Sequence, residues 1–428
     1  MNYFKQILYE LKNQRMVTWV SISGTALAIF LIMAVFMADR LQGVSIPPLT
    51  NRDRILSGQG IEYISGKTNG SSMNLNRDFA TKLYADLDGV ERLSYISDMY
   101  GTSEVGLANG NSITVQGLRV DNEYWNIYDY KFISGKPFEK EEIEAKNSLA
   151  ILTESVAREI YGETNVAGRE VEIDTRVYTI KGVVEDPFAL LPDGTVKFFI
   201  TNFPGKENHD FVGDTQIRIL LKEPDNADHV KSQVKHRYDL INQELTQLDG
   251  NQTIIYHLQP YTSAELSSGT FGSNNDPKLK FKTRLRAIIY VILLLLPAIN
   301  LAGMTRSRLM NRISEIGVRR AFGAKRKKII SQIFVENLLL TFIGGAIGLC
   351  LSLIYLAFLS GYFVVFNDPN TYTAIAPVNL SPVIWHVFDF SVFFIAFGAC
   401  FILNVMSASL PAWKASAVEP ALAIAKSK

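Results

Sequence analysis

The stretch MVTWVSISGTALAIFLIMAVFMA, residues Met16 to Ala38, contains no charged side chain. A bilayer core about 30 Å thick takes roughly 20 apolar residues of α-helix, and this run meets that length. Lys5, Lys12 and Arg15 precede it, as in a secretion signal. The run is too long for a signal core and no small-residue cleavage site follows, so it reads as a retained anchor. Three further runs meet the same criterion: Ala287 to Met304, a stretch within Ile330 to Tyr362, and Phe390 to Pro411. Water-soluble domains seldom carry four such runs. The expected fold is a membrane protein with four transmembrane α-helices and a large extracytoplasmic α+β domain inserted between helices one and two.

Loops rich in lysine and arginine stay in the cytoplasm. Between the second and third runs stand Arg306, Arg308, Arg312, Arg319, Arg320, Lys325, Arg326, Lys327 and Lys328 against the single acid Glu315. That loop is expected inside, and with four spans both termini join it, in keeping with Lys5, Lys12 and Arg15 at one end and Lys414, Lys426 and Lys428 at the other. The expected organisation begins with an amphipathic helix over 1–16 lying on the inner membrane surface. An unstructured leader is the alternative. A first span follows over 17–38, then the outer domain over 39–284 and a second membrane half over 285–428. Within that half lie spans at about 286–304, 330–360 and 390–411, a cytoplasmic loop over 305–329, an outer loop over 361–389 marked by Pro369, Pro377 and Pro382, and a cytoplasmic tail over 412–428.

The outer domain shows strand alternation over Ser112 to Val120 and a hairpin over Arg169 to Val184 with its turn at Asp174 and Thr175. Helical spacing appears over Ser155 to Tyr161 and over Ala227 to Leu248, where Val230, Val234, Tyr238, Ile241 and Leu245 share a face. Ile217 to Leu221 and Ile254 to Leu258 read as strands flanking that helix. A division of the domain after Pro187 is weakly marked. The run Ser267 to Asn275 reads as a flexible joint.

Chemistry is sparse. The balance of 43 basic against 42 acidic residues gives no net field to draw nucleic acid. Cys350 and Cys400 both lie in apolar runs, which removes disulfide scaffolds and cysteine-ligated zinc from the polar part. Gly66, Lys67 and Thr68 imitate the end of a phosphate-binding loop, but Ile61 stands where its first glycine belongs, and a turn over Ser65 to Ser71 accounts for them. His229 and His236 are seven apart on the expected helix without a third ligand; solvated surface is the plainer reading. No catalytic constellation or direct cofactor emerges, and charged residues are absent from the middle of all four apolar runs, with Glu336 near the inner end of the third, which argues against an ion-coupled transporter.

The inner loop is the distinctive element. Glu315-Ile316-Gly317-Val318-Arg319-Arg320-Ala321-Phe322-Gly323-Ala324 is a short amphipathic stretch with a basic flank, and Gly323 is placed to end a helix. It suits either anionic lipid at the membrane surface or a groove on a cytoplasmic partner. In the third run Gly344, Gly345 and Gly348 permit close helix contact, within the subunit or between two copies.

These residues, with Gln332, Phe334 and Glu336, resemble the FtsX-like permease domain, whose loop has the pattern EIGVRRAxGA before a glycine-rich helix. Asn300 and the ending Leu410-Pro411-Ala412-Trp413-Lys414-Ala415-Ser416, then Glu419-Pro420, are similar to the same family. In the outer domain Phe132 to Phe138, Leu152 to Gly162, Gly168 and Gly182-Val183-Val184 resemble the periplasmic core domain of MacB-type permeases. The resemblance implies a type VII-like ABC transporter permease of the inner membrane. In it Glu315 to Ala324 would meet a cytoplasmic ABC ATPase, and the motion would be transmitted to the outer domain. It implies no catalysis in this chain, with ATP and Mg bound by the partner ATPase, and a second permease copy or paralogue. Only about sixteen residues precede the first span, so the ATPase is expected on another polypeptide, unlike MacB. A periplasmic adaptor or envelope partner would complete the assembly, with membrane lipid around it and no nucleic acid. The alternative is a mechanotransmitting regulator of a cell-envelope partner, of the division or wall-hydrolase type, or an anchored receptor without transport.

Overall fold

The computed structural model describes residues 15–41, 45–99, 102–107, 110, 112–187, 195–203, 211–248, 250–267, 280–281, 283–293, 295, 318, 322–358 and 388–417. They fall into two compact units, a membrane unit of Met1–Leu41 with Phe281–Lys428 and an outer unit of Gln42–Lys280. The chain starts on α1 (Arg15–Leu41), an uninterrupted helix through the first apolar run. The expected helix over 1–16 lies outside the described residues except for its last two positions, which belong to α1.

The outer unit opens with β1 (Ile55–Gly58), β2 (Ile61–Ser65), β3 (Thr68–Ser72), α2 (Arg77–Tyr84) and β4 (Val90–Asp98). It continues with β5 (Ser103–Gly106), β6 (Ser112–Val120), α3 (Tyr124–Ile127), β7 (Phe132–Gly135), α4 (Lys140–Glu144), β8 (Leu149–Thr153), α5 (Glu154–Tyr161), β9 (Glu170–Ile173), β10 (Arg176–Val184) and β11 (Val196–Thr201). It closes with β12 (Gln216–Leu221), α6 (Ala227–Leu248), β13 (Gln252–Ile255), β14 (Tyr261–Thr262) and α7 (Ser263–Ser267).

Two cores organise these elements. In the first, α2 and α6 lie over β1 and β12, with Leu56, Phe79, Leu83, Tyr84, Ile217, Ile219, Val230, Val234 and Tyr238 buried together and Ile241 and Leu245 packed at the edge. The 3.6-residue spacing of α6 therefore faces the core as its pattern requires. In the second, β11 pairs β8 and β6, β6 pairs β5, β5 pairs β9, β9 pairs β10, and β10 returns to β8. This ring is a small closed barrel, and a barrel of so few strands is filled by its own side chains: Val105, Ala150, Leu152, Val171, Ile173, Ile180, Phe198 and Ile200 pack inside.

The suggested division after Pro187 is corrected here. Pro187 lies between β10 and β11, two strands of the same barrel, and the chain leaves the first core after β4 and re-enters it at β12, so the second core is nested in the first. The expected strand Ile254 to Leu258 is shorter, ending at Ile255, and Leu258 takes φ +59° outside the ladder. The Asp174–Thr175 turn has φ +46° and +71°, the left-handed pair that a two-residue hairpin of type I′ needs.

In the membrane unit α8 (Arg326–Phe358) begins inside the segment read as loop, and α9 (Phe390–Ala417) continues past Pro411 into the segment read as tail. Among the described residues, Thr18–Met37 and Lys327–Tyr355 are long and apolar enough to cross a membrane, and Phe390–Leu403 is a shorter apolar stretch. The second run is described as helix over 283–293, with Leu285, Ile288, Val291 and Ile292 exposed. Its inner end, Asn300, the loop over 305–329 apart from 318 and 322–329, and the loop over 361–389 apart from its last two residues lie outside the described residues.

Candidate functional site

Of the expected coupling element, Val318, Phe322, Gly323 and Ala324 are described; Glu315, Ile316, Gly317, Arg319 and Arg320 lie outside the described residues. The Phe322 N–H donates to the Val318 carbonyl oxygen at 3.1 Å, one α-helical turn. Gly323 follows at φ +87°, the left-handed conformation that ends helices and suits glycine. Val318 and Phe322, four residues apart, thus share a helical face. Both are exposed, Phe322 to 88% and Val318 to 42%. The Lys325 carbonyl oxygen accepts from the Lys328 and Ile329 N–H groups at 3.0 and 3.4 Å, so α8 starts at once and only Ala324 and Lys325 separate it from the glycine cap.

Along α8 the three glycines are occupied by contacts inside this chain. A Cβ on Gly344 would lie 2.8 Å from Thr25 Cβ and 3.1 Å from the Ile22 carbonyl oxygen, and one on Gly348 would lie 2.8 Å from the Ala26 carbonyl oxygen and 3.0 Å from Ile29 Cβ. On Gly345 it would meet the Phe397 ring of α9 at 2.7 Å. The backbones of α1 and α8 are therefore close enough that only glycine fits between them. Ile22 packs on Leu340 below this seam and Phe30 meets Tyr355 edge-on at 5.6 Å above it. The hydroxyls of Thr25, Thr341 and Ser352 donate to the carbonyl oxygens of Ser21, Asn337 and Gly348 on their own helices at 3.0, 2.8 and 2.7 Å, which lets these buried polar side chains sit at membrane depth.

Glu336 and Asn337 are buried in α8, each 6% exposed, and the Asn337 Nδ2 has no hydrogen-bond partner among the described residues. The sequence reading missed Ile22, Thr25, Ala26, Ile29 and Phe397 as partners of the glycines. The available signal was Ser21 and Thr25, small hydroxyl residues four apart in an otherwise aliphatic run.

The outer unit's polar clusters are structural. Gly66 and Lys67 form the tip of the β2–β3 hairpin, with Gly66 at φ +63°. His229 Nε2 lies 3.6 Å from Asp88 Oδ2, both exposed. Among the described residues no group of three His, Cys, Asp or Glu is placed to hold a metal ion. Asp186 caps α5, accepting from the Ser155 N–H at 2.8 Å and Oγ at 2.6 Å, and takes Lys197 Nζ at 2.6 Å. Burial pushes this carboxyl up, but the bonds from Lys197 and Ser155 outweigh burial and hold it below the usual carboxylate range. Asp121 is buried and accepts from Ser94 Oγ and the Tyr95 N–H, both at 2.7 Å; here burial prevails and raises its pKa.

A compact unit inserted in the chain between long apolar helices, together with a capped turn that runs directly into one of those helices, is the architecture of a membrane protein with one large domain outside the bilayer. The family model of the MacB-like periplasmic core domain matches residues 18–237 and that of the FtsX-like permease C-terminal domain matches residues 287–420, so the chain belongs to the MacB/FtsX-like family of ABC transporter permeases. Among relatives, it is 25% identical over 236 residues to the uncharacterized ABC transporter permease YknZ of Bacillus subtilis, covering 55% of each chain. It is 24% identical over 318 residues to the macrolide export ATP-binding/permease protein MacB of Campylobacter jejuni, covering 71% of this chain and 44% of that one. The chain thus spans about half the length of the curated relatives it matches. Among solved structures it matches the extracellular domain of YknZ from Gram-positive bacteria at 11% identity and a TM-score of 0.31, covering 46% of this chain and 100% of that domain. The periplasmic region of MacB from Actinobacillus actinomycetemcomitans matches at 15% identity and a TM-score of 0.33, covering 50% of this chain and 94% of that one. The chain is accordingly an inner-membrane protein with an extracellular domain.

Proposed function

We propose that this chain is the permease subunit of a type VII-like ABC transporter that crosses the membrane four times with both termini inside. It transmits the motion of a cytoplasmic ABC ATPase to its outer unit, which acts in export, extraction or efflux of a substrate. ATP and Mg²⁺ are bound by that ATPase, and a second permease copy or paralogue completes the assembly. The observation that carries this reading is Phe322. An exposed phenylalanine forgoes roughly 1.5–3 kcal/mol of burial, and this ring is held outward by a glycine-capped turn in the most basic segment of the chain, immediately before α8. A rigid aromatic flanked by arginines is the composition of an interface anchor. The placement of the basic loop inside follows the distribution of lysine and arginine.

The test is co-purification in mild detergent followed by an ATP hydrolysis assay. Phe322→Ala, Glu315→Lys and Gly323→Pro are expected to leave membrane insertion intact. Each should cut ATPase recovery or stimulation by more than about tenfold, the scale of an anchor worth at least 1.4 kcal/mol. Proline fixes φ near −65°, so the last variant removes the observed cap outright. Undiminished stimulation in all three variants overturns the coupling role.

A further inference from the structure

One group of polar side chains in the outer unit lacks the partners that its other charged groups have. Arg54 pairs with Glu91, Arg158 with Glu154 and Arg169 with Glu163. Arg77 and Arg119 differ. Both are half-buried, yet among the described residues neither guanidinium donates a hydrogen bond or joins an ion pair. The Arg77 Nη1 is buried without an acceptor, and its Cζ stands 4.5 Å from the centre of the Tyr95 ring. Ser97 is fully buried, and its Oγ also has no hydrogen-bond partner among the described residues.

The strand ladder brings these three groups together. Ser97 of β4 stands directly opposite Arg119 of β6, which places their Cβ atoms about 4.5–5.5 Å apart on one face. Tyr95 lies two residues back along β4 on that same face. Its Cα is then diagonal to that of Arg119 at about 7–8 Å, within reach of long side chains. The Arg77 guanidinium, seated on the Tyr95 ring, therefore lies over the same patch. Here β4 passes from one core to the other: Tyr95 pairs with Ile217 of the first core, and Arg119 pairs with Ile200 of the barrel. Asn202, which follows β11, closes one side by donating its Nδ2 to the Tyr95 carbonyl oxygen at 3.1 Å.

Two positive charges and a hydroxyl thus converge without an acid to receive them. Burial dominates the Asp121 carboxyl, and the Arg77 charge is the weakest of the influences that oppose it. The Asp121 oxygens are already taken by Ser94 Oγ at 2.7 Å and by the N–H groups of Tyr95 and Tyr124 at 2.7 and 3.1 Å. The first N–H groups of α2 are satisfied as well, since Asn76 Oδ1 accepts from Asp78 and Phe79 at 2.9 and 3.4 Å. Folded proteins leave few buried donors unsatisfied, and the fork of a guanidinium matches the oxygens of a carboxylate or a phosphate.

We propose that Arg77, Ser97 and Arg119 form a binding site of the outer unit for an oxyanion, the carboxylate or phosphate group of a ligand. The two arginines supply the charge and Ser97 an O–H donor, and the half-exposure of the arginines leaves the site open to solvent. The site stands independently of the turn at 318–324.

The test uses the full chain in dodecyl maltoside, free of phosphate, at constant ionic strength set with sodium chloride. Broadening of the phosphorus resonance of inorganic phosphate and of the carboxyl-carbon resonance of labelled acetate reports binding, and thermal unfolding reports folding. The parent should broaden at least one of the two resonances. The broadening should fall about tenfold or more in Arg77→Gln/Arg119→Gln, the scale of lost hydrogen bonds to a charged group, and severalfold in Ser97→Ala. Both variants should unfold at or above the temperature of the parent in the ligand-free buffer, because a guanidinium without an acceptor adds no cohesion. Stronger broadening of phosphate assigns a phosphate group, and stronger broadening of acetate a carboxylate. Broadening of neither, or equal broadening by the parent and the double variant, overturns the site. So does a double variant that no longer folds, since the two arginines would then serve the fold and not a ligand.

Discussion

In the barrel of the outer unit Gly117 makes room for a ring: a Cβ there would lie 2.0 Å from Phe198 Cζ. In the membrane unit Gly344 and Gly348 make room for a backbone, with carbonyl oxygens of Ile22 and Ala26 at 3.1 and 2.8 Å from the Cβ positions. The difference follows from the two solvents. In water, burying Phe198 removes apolar surface from contact with solvent, so the outer unit gains by filling its interior with large side chains. In lipid, a leucine is as well solvated outside the bundle as inside, and helices associate through close packing, which small residues allow. Truncation should therefore weaken the outer unit and enlargement the membrane unit.

The largest expected effect is Phe198→Ala, which empties the barrel where the ring is fully buried. Loss of a core phenylalanine costs about 3–5 kcal/mol, and urea unfolding followed by far-ultraviolet circular dichroism should show it. The reverse change in the membrane unit, Gly348→Val, should cost about 1–3 kcal/mol through overpacking against α1. Thermal unfolding in detergent, with Ile22→Cys/Leu340→Cys cross-linking as a measure of the seam, reports it. Gly398 of α9 has nothing within 4 Å of an added Cβ among the described residues, so Gly398→Val tests whether enlargement hurts only where helices touch. If Gly348→Val and Gly398→Val are equally mild, the seam is looser than the structure shows.

Much of this comparison was legible in the sequence wherever the determinants are local. The helix Ala227–Leu248 and the hairpin Glu170–Val184 follow from spacing and from the Asp174–Thr175 turn. Gly323 as a helix end follows from composition alone, and its positive φ agrees. The barrel was not legible, because its closure depends on β11 pairing with both β6 and β8 across long sequence separations, and β11 is a short strand, Val-Lys-Phe-Phe-Ile-Thr, without regular alternation. For the same reason Pro187 looked like a boundary: punctuation marks a turn, not the core to which the flanking strands return. The glycines of α8 were visible, but a small-residue face does not name its partner, and the choice between α1 and a second copy needed three-dimensional contacts.

A prediction of intermediate size separates packing from polar cohesion in the outer unit. Asp186 has a folded pKa below its ordinary value of 3.8, so its bonds contribute stability above that value that is lost as pH falls through the folded pKa. Asp186→Asn should lower stability at pH 7 by about 1–2 kcal/mol, and the gap from the parent should close as pH is taken below 3.8. Asp121 has the opposite sign: its raised pKa means that its ionised form is disfavoured by folding, so Asp121→Asn should not show a gap that closes on acidification. A gap for Asp186→Asn that is independent of pH would mean that the cap's geometry, not its charge, holds the start of α5.

The smallest expected effect lies where the membrane unit returns to water. Arg40 and Asp389 form an exposed ion pair at the outer ends of α1 and α9, the type of pair that adds little to stability and is screened by salt. Asp389 has a second task that Arg40 lacks. Its Oδ1 accepts the Ser391 N–H at 2.8 Å and caps α9, and this bond, ahead of the nearby Arg40, holds its carboxyl below the usual range. Arg40→Ala should thus be nearly silent in thermal unfolding, and more so as salt is raised, whereas Asp389→Ala should be visibly worse and Asp389→Asn, which keeps a capping oxygen, should resemble Arg40→Ala. Equal losses in Arg40→Ala and Asp389→Ala would transfer the role from the cap to the ion pair, and the outer end of this bundle would then depend on charge in a way that its glycine-packed middle does not.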